Sequence, residues 1–240
     1  MRFDSKTRVL VVAAHPDDEV LGCGGTLAKA VLQGAKVAVI FLGEGISARF
    51  PVGQYDSVEF KQQTVEREKE AQQALDVLGI KEVHYGERYC CQFDTVPLIS
   101  LVKEIEARME AFRPTILLTH NPSEVNIDHR IVYHAVEIAC RPTRDWIPQA
   151  IYTFEIVCSG NWTFDPRFHP NVFVDIEKFW EKKMRAWDCY VDETRPFPFP
   201  RSREGLETLA CFRGMSVGIK KAEAFCLMRQ VVREGDNSVM

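Results

Sequence analysis

Short apolar runs recur along the first half of the chain, and segments with helical character separate them. Val9–Ala14 contains no polar residue, and Lys36–Leu42 and Thr115–Thr119 are polar only at their ends. Such runs are typical of strands that are buried on both faces. Val83–Tyr85 is a shorter candidate strand. Strands that alternate with helices predict an α/β fold, a Rossmann-like open and mostly parallel sheet with helices on both faces.

Glycine and proline mark the ends of the intervening helices, since glycine ends helices and proline stops them. The predicted helices are Val20–Gln33 before Gly34, Ser57–Leu78 before Gly79, Val96–Phe112 before Pro114, and His129–Ala139. In the second of these, Val58, Val65, Leu75 and Leu78 are expected on the buried face and the charges on the opposite one.

The second half of the chain is less regular. Candidate strands at Ala150–Val157 and Val172–Ile176 and candidate helices at Glu177–Tyr190 and Arg203–Phe212 flank the proline-rich segment Arg195–Pro200. Alternating prolines predict an extended polyproline-like loop, which is a stiff connector, a lid or a recognition arm. We expect residues 1–240 to form a single domain, with residues 141–240 completing the regular α/β half at 1–140.

Composition excludes several classes of protein. The 30 basic and 34 acidic residues give a formal net charge of −4, which argues against a general nucleic-acid binder. No apolar run is long enough to span a membrane, and the first residues lack the apolar core of a signal peptide. The eight cysteines match no zinc-finger spacing, and reduced thiols in a cytoplasmic protein are expected. Cys90 and Cys91 are adjacent, which favours packing over redox chemistry.

Ligands of open parallel sheets bind beyond the carboxyl ends of the strands. The loops after Ala14, Leu42 and Thr119 should therefore meet in one crevice. The first of these loops begins with His15 and contains three acids, the second of which is Asp18.

Imidazole and carboxylate three residues apart, as in His15 and Asp18, suit zinc or iron(II). A third ligand is expected from the polar loop His120–His129. Three protein ligands that leave one position for water are characteristic of catalytic zinc, which lowers the pKa of that water. Asp17 would then act as general base. In the alternative interpretation, Asp17 or Asp18 only caps a helix and His120 is a buried, hydrogen-bonded histidine.

Three segments resemble the PIG-L/LmbE-like N-deacetylases. His15–Glu19 after an apolar strand, followed by Gly22–Gly25, is similar to that family's signature, and Asn126–Arg130 is similar to its second metal motif. A weaker likeness covers Phe212–Gly214 and Ala222–Phe225. The resemblance implies a Rossmann-like, zinc-dependent amidase that deacetylates N-acetylglucosamine-type sugars or their conjugates. It also implies that His15, Asp18 and His129 bind the metal and that Asp17 is the general base.

One position departs from the family pattern. Many members have a histidine three residues before the metal-binding histidine, where this chain has Asn126. An asparagine can donate a hydrogen bond to an oxyanion, but it cannot supply a proton. Our hypothesis is that Asp17, once protonated, serves as general acid to the leaving amine. His120, which directly follows the predicted strand Thr115–Thr119, is the alternative acid.

Candidates for substrate contact are Glu44 and Arg49 in the loop after the second strand, and Asp128 in the second metal motif. The planar guanidinium of Arg49 can bind hydroxyls, a phosphate or a carboxylate, and the resemblance also implies a basic substrate contact here. A solvent-exposed arginine is the alternative. The glycines at Gly22–Gly25 lack the spacing of a dinucleotide fingerprint, so we expect no nicotinamide cofactor and predict close packing of a helix on the sheet.

The sequence therefore predicts a cytoplasmic, metal-dependent deacetylase with a small-molecule amino-sugar substrate, with Zn²⁺ as cofactor and Fe²⁺ as the alternative ion. The alternatives are a related amidase acting on a thiol conjugate, an antibiotic or a nucleotide-linked amino sugar, and a carbohydrate-binding protein that retains the fold. Asp17 favours an enzyme, because a binding protein needs no base beside the metal. A homo-oligomer is possible and would shelter the proline-rich loop.

Overall fold

The computed structural model describes residues 1–165 and 168–233. The strands are β1 (Arg8–Ala13), β2 (Lys36–Gly43), β3 (Glu82–Arg88), β4 (Ile116–His120), β5 (Ala150–Phe154), β6 (Val172–Asp175) and β7 (Ala222–Gln230). The helices are α1 (Asp18–Leu32), α2 (Val58–Leu78), α3 (Leu98–Phe112), α4 (Ile127–Ala139), α5 (Trp180–Trp187) and α6 (Arg203–Met215). Short 3₁₀ turns lie at Ser47–Arg49, Phe93–Thr95, Glu177–Phe179 and Val191–Glu193.

The seven strands form one sheet in the order β3-β2-β1-β4-β5-β7-β6. The first five in this order pair in parallel, whereas β7 pairs antiparallel with β5 and β6. This arrangement confirms the predicted mostly parallel α/β sheet. Strand β7 was not predicted, because Glu223 and Arg229 interrupt its apolar residues.

Both faces of the sheet are covered. Val9 and Val11 of β1 point into a core with α1, α2, α5 and α6, while Leu10 and Val12 point into a second core with α3 and α4. Successive residues of a strand face opposite sides, so an unbroken apolar run is needed when both sides are buried. The carboxyl ends of β1, β2 and β4 lie at the same edge of the sheet.

Helix α2 has the predicted ends, and its buried face differs in part from the predicted one. Ser57 accepts a hydrogen bond from Phe60 at its start, and Gly79 ends it in the left-handed conformation. Val58 and Val65 are exposed, whereas Arg67 is 2% exposed. The predicted face is correct for Leu75 and Leu78, which are buried, and wrong for Val58 and Val65. Arg67 lies on the buried side because its guanidinium faces Asp17 and Glu193 from other segments and Glu70 of the same helix, and buried charges need such partners.

The proline-rich segment is not an extended polyproline helix. Phe199 N–H donates to the Pro196 carbonyl at 3.1 Å, and Ser202 N–H donates to the Phe199 carbonyl at 2.9 Å. These bonds fold the segment into consecutive turns that lead into α6. The prediction fails because local carbonyls accept hydrogen bonds that a polyproline helix would leave to water.

The glycines at the start of α1 pack as predicted. A Cβ at Gly22 would overlap the ring of Phe154, and a Cβ at Gly25 would lie 2.9 Å from Ile176. Larger residues would push the helix off the sheet, and the His15–Asp18 turn with it. None of the helices in the described ranges is both long and apolar enough to cross a membrane.

Candidate metal centre and catalytic site

The predicted metal ligands lie together at the carboxyl edge of the sheet. His15 and Asp18 come from the turn between β1 and α1, and His129 from the first turn of α4. One donor atom of each lies within 4.8 Å of the others, and all three side chains are buried. Asp18 Oδ1 is 3.4 Å from His129 Nε2, and Asp18 Oδ2 is 3.8 Å from His15 Nδ1. His120 Nε2 also lies 3.4 Å from Asp18 Oδ2, but it is His129 that forms a donor group with both His15 and Asp18. That these three residues bind a metal stays a prediction.

The turn before α1 directs these side chains. Asp18 Oδ2 accepts the backbone N–H of His15 at 2.9 Å. Asp17 has φ 120°, and its side chain makes no cap hydrogen bond. A non-glycine residue at such a φ is strained, and such strain concentrates at functional sites. The capping alternative is thus not observed for Asp17.

A buried carboxylate orients each of the two histidines. His15 Nε2 is 2.9 Å from Asp128 Oδ2, and His129 Nδ1 is hydrogen-bonded to Glu124 Oε2. Each acceptor assigns a proton to the nitrogen it contacts, so the lone pairs of His15 Nδ1 and His129 Nε2 face Asp18. Two imidazole lone pairs and a carboxylate directed at one point fit a divalent cation, and carboxylate–histidine pairs accompany protein metal sites.

The pKa shifts of His129 and Asp18 agree with this assignment. For His15, burial lowers the pKa, but the hydrogen bond to Asp128 and the charge of Asp18 outweigh it and raise the pKa. Burial and the neighbouring His120 lower the pKa of His129, which keeps its ring neutral. Burial raises the pKa of Asp18, but the imidazoles of His129 and His120 outweigh it and hold that pKa well below its ordinary value. A neutral imidazole and an ionised carboxylate are the forms that bind metal.

Asp17 lies beside the predicted metal ligands and has a charged partner. Arg201 Nη1 donates to its Oδ2 at 2.9 Å, and Arg67 Nη1 lies 4.0 Å from the same oxygen. Burial raises the pKa of Asp17 to about 8, against the opposing charge of Arg201. A pKa near neutrality is suited to proton transfer in both directions.

Glu193 pairs with three arginines close to Asp17. Arg201 Nη1 donates to Glu193 Oε2 at 2.8 Å, and Arg49 and Arg67 both donate to Oε1. Within the described residues, the buried Nε of Arg201 has no hydrogen-bond partner, and that of Arg67 has only an ion-pair contact with Glu70 at 3.3 Å. Arg49 keeps 36% of its side chain exposed. Glu193 thus links it to the two arginines beside Asp17, and its contact with substrate stays a prediction.

Two residues predicted to bind substrate have other partners. Asp128 is fully buried, and besides His15 it accepts the backbone N–H groups of Phe93, at 3.0 Å, and Cys91. Glu44 accepts the backbone N–H of Cys90 at 2.9 Å and that of Ser47 at 3.1 Å. Asp128 thus orients the imidazole of His15, and Glu44 joins two loops. A contact of either residue with substrate stays a prediction.

Asn126 and His120 differ in their access to the site. Asn126 Oδ1 accepts the N–H of Asp128 at 2.9 Å as the cap of α4, which leaves its amide N–H₂ to donate. His120 is wholly buried, its Nε2 accepts the N–H of Ala14 at 2.9 Å, and its ring stacks on His129 with centroids 4.0 Å apart. This position favours the buried-histidine alternative over the general acid.

Sequence reasoning missed four residues of this site: Arg67, Glu124, Glu193 and Arg201. Glu124 carried a usable signal, because a metal-binding histidine normally has a carboxylate partner and Glu124 lies in the same polar loop as His129. The others reach Asp17 from distant segments, and no local pattern marks them.

Comparisons with known proteins find deacetylases that are similar to this chain. Diacetylchitobiose deacetylase of Thermococcus kodakarensis is 28% identical over 234 residues, which cover 92% of this chain and 83% of the relative. The structure of N,N'-diacetylchitobiose deacetylase from Pyrococcus horikoshii has a TM-score of 0.71 at 22% identity, over 92% of this chain and 84% of that one.

A structure with a different reaction shares the fold. GalB, the 4-carboxy-2-hydroxymuconate hydratase from Pseudomonas putida KT2440, has a TM-score of 0.75 at 22% identity, over 95% of this chain and 98% of that one. The structural likenesses thus show the fold, and the reaction has to be argued from the site. The family model described as PIG-L, GlcNAc-PI de-N-acetylase, matches residues 10–140, which include all three predicted ligands and Asp17. The chain belongs to the PIG-L family of de-N-acetylases.

Proposed function

We propose that this protein is a zinc-dependent N-deacetylase that hydrolyses the N-acetyl group of an amino sugar or sugar conjugate. One observation carries the proposal: His15, Asp18 and His129 converge in a buried site directly beside Asp17. The descriptions of the family and of the Thermococcus relative support the substrate class, since both concern deacetylation of an acetylated sugar compound.

The donor set supports zinc. Two imidazoles and one carboxylate suit zinc or iron(II), whereas magnesium and calcium prefer sites made of oxygen ligands. An ion held by these three residues would lower the pKa of a water ligand and polarise the amide carbonyl. Zinc is the expected native ion, with iron(II) as the alternative.

The remaining steps belong to residues of this chain. Asp17 accepts a proton from the attacking water, and the N–H₂ of Asn126 donates to the oxygen of the tetrahedral intermediate. Asp17, now protonated, gives its proton to the departing amine while Arg201 holds the carboxyl group in place. The products are acetate and a free amine.

The alternatives make different demands on the site. A carbohydrate-binding protein would not need the strained, buried Asp17. Related amidases that act on thiol conjugates, antibiotics or nucleotide-linked sugars would use the same centre with a different leaving amine. The eight cysteines are free, which supports the proposed cytoplasmic location.

The test is acetate release by the zinc-loaded protein across N-acetylated sugars, sugar phosphates, nucleotide sugars and glycoconjugates. Asp17→Asn is measured alongside, and its metal content is determined to show that the site is retained. Release that is lost in the metal-loaded variant supports the proposal. Metal binding without release from any member of the panel contradicts the substrate class, and failure to bind metal contradicts the centre itself.

A further inference from the structure

A second set of metal donors adjoins the first and shares one residue with it. One donor atom each of His15, Cys90 and Asp128 lies within 4.8 Å of the others, and all three side chains are buried. The two sets use opposite sides of one imidazole. Nδ1 of His15 lies 3.8 Å from Asp18, and Nε2 lies 2.9 Å from Asp128 Oδ2. Sulfur, imidazole and carboxylate together form a donor set characteristic of zinc.

Backbone hydrogen bonds fix the position of the Cys90 loop relative to the Asp128 carboxylate. Cys90 N–H donates to Glu44 Oε1 at 2.9 Å, and the next residue, Cys91, donates its N–H to Asp128 Oδ2. Phe93 N–H donates to the other Asp128 oxygen at 3.0 Å. The loop that carries Cys90 is therefore fastened to the carboxylate, and the donors need little rearrangement to close on an ion.

We propose that Cys90, Asp128 and His15 form a second, inhibitory site for a thiophilic divalent cation such as Zn²⁺ or Co²⁺. Binding displaces the thiol proton of Cys90 and the Nε2 proton of His15, and both protons leave to solvent. It also replaces the hydrogen bond between His15 and Asp128. The same imidazole serves the first site through Nδ1. An ion on Nε2 therefore places a second positive charge beside the first site and removes the Asp128 hydrogen bond that orients the ring, and both effects weaken the first site.

The identity of the ion follows from the thiol. The second donor set contains the Cys90 sulfur, which lies 3.7 Å from the sulfur of Cys91. Thiolate binds ions such as Zn²⁺ and Co²⁺, whereas Mg²⁺ and Ca²⁺ prefer oxygen ligands and should not bind here. The free Cys90 thiol therefore distinguishes the second site from the first, which contains no sulfur.

The test is a titration of the metal-free full-length protein with Co²⁺, followed by absorption spectroscopy. The first equivalent should give the visible bands of a nitrogen and oxygen site, and the second should add a near-ultraviolet thiolate-to-cobalt charge-transfer band. In Cys90→Ser and Cys90→Ala the first equivalent should bind, which also shows that the variants fold, and the charge-transfer band should be missing. Cys91→Ser is the matched control and should keep the band.

A second measurement uses zinc and deacetylation. Excess Zn²⁺ should inhibit the wild-type protein, and the concentration for half-inhibition should rise at least about tenfold in Cys90→Ser, the size of effect expected for a lost metal partner. A wild type without the charge-transfer band, or a band that survives in Cys90→Ser, overturns the proposal. The spectra require no substrate, so they decide it even if the proposed deacetylase activity fails.

Discussion

Arg201 Nη1 donates to Asp17 Oδ2 at 2.9 Å, across 184 residues of sequence. The same nitrogen also donates to Glu193 at 2.8 Å, which ties Arg201 to the turn after α5. The proline-rich turns place Arg201 at this position, just before α6. The less regular second half of the chain therefore positions the proposed general base, while the first half supplies the proposed metal ligands.

Replacing Arg201 should reduce turnover without removing the metal. Arg201→Met deletes the donor to Asp17, and hydrogen bonds to charged groups contribute about 1.5–3 kcal/mol, so kcat should fall roughly 10- to 100-fold. Arg201→Lys should recover part of the loss, because a lysine keeps the charge without the planar fork. Steady-state kinetics and metal analysis of each variant measure the effect.

Arg203→Gln is the control for this prediction. Arg203 is two residues away, its side chain is exposed, and it pairs with Glu181 on the surface. Its loss should leave kcat unchanged. Wild-type turnover in Arg201→Met would show that Asp17 does not depend on this contact.

The features that the sequence predicts depend on residues close together in the chain, whereas the features it misses depend on contacts between distant segments. Val9–Ala14 predicts a buried strand because every residue in the run is apolar, whichever segments cover it, and His15 and Asp18 share one turn. Glu193 and Arg201 meet Asp17 only after the chain has folded. Strand β7 was missed for a related reason. From the sequence alone, Glu223 is expected on the surface, but in the structure its Oε1 lies 2.6 Å from Lys183 Nζ.

Glu124 should control metal affinity through His129. Its Oε2 is hydrogen-bonded to His129 Nδ1, and its Oε1 accepts the N–H of Ile156 at 2.7 Å. Glu124→Gln should weaken metal binding by roughly 10- to 100-fold, because the ring loses the partner that fixes its tautomer and raises its basicity. Competition with a chelator of known affinity measures the change.

Helix α4, which carries His129, offers a matched control. Glu137 lies 3.4 Å from His134 Nδ1 on the exposed face of α4, so it forms a similar pair that holds no metal ligand. Glu137→Gln should leave metal affinity unaltered. Equal affinities in the two variants would remove Glu124 from the metal centre.

Two glycines of α1 should respond to alanine in opposite directions. A Cβ at Gly22 would overlap the ring of Phe154, so Gly22→Ala should destabilise the protein by about 1–3 kcal/mol. A Cβ at Gly24 would lie 3.4 Å from Val20 and 3.5 Å from Lys183, which is ordinary contact. Gly24→Ala should therefore stabilise by about 0.5–1 kcal/mol, because alanine is the better helix former.

Urea denaturation of the two variants measures this difference. A destabilising Gly24→Ala would mean that α1 lies closer to α5 than the structure shows. A neutral Gly22→Ala would mean that Phe154 can move aside, and the helix would then not be held by that ring.

Glu19 should make the metal-free protein less stable as the pH rises towards neutrality. Tyr190 donates to its Oε1 at 2.6 Å, and the Asp17 N–H donates to its Oε2 at 3.0 Å. Burial nevertheless raises the pKa of Glu19 from 4.5 to about 7. Between these two values the unfolded chain has released this proton and the folded chain still holds it, so the free energy of unfolding falls as the pH increases.

Glu19→Gln removes this titration. A shift of this size corresponds to about 3 kcal/mol, so the stability of the variant relative to wild type should rise by up to that amount between about pH 4.5 and 7 and then level off. Loss of a hydrogen bond in the variant adds an offset that does not change with pH. Urea denaturation across this range, with the exposed Glu66→Gln as control, measures the slope, and parallel curves for Glu19→Gln and wild type would show that Glu19 is ionised throughout.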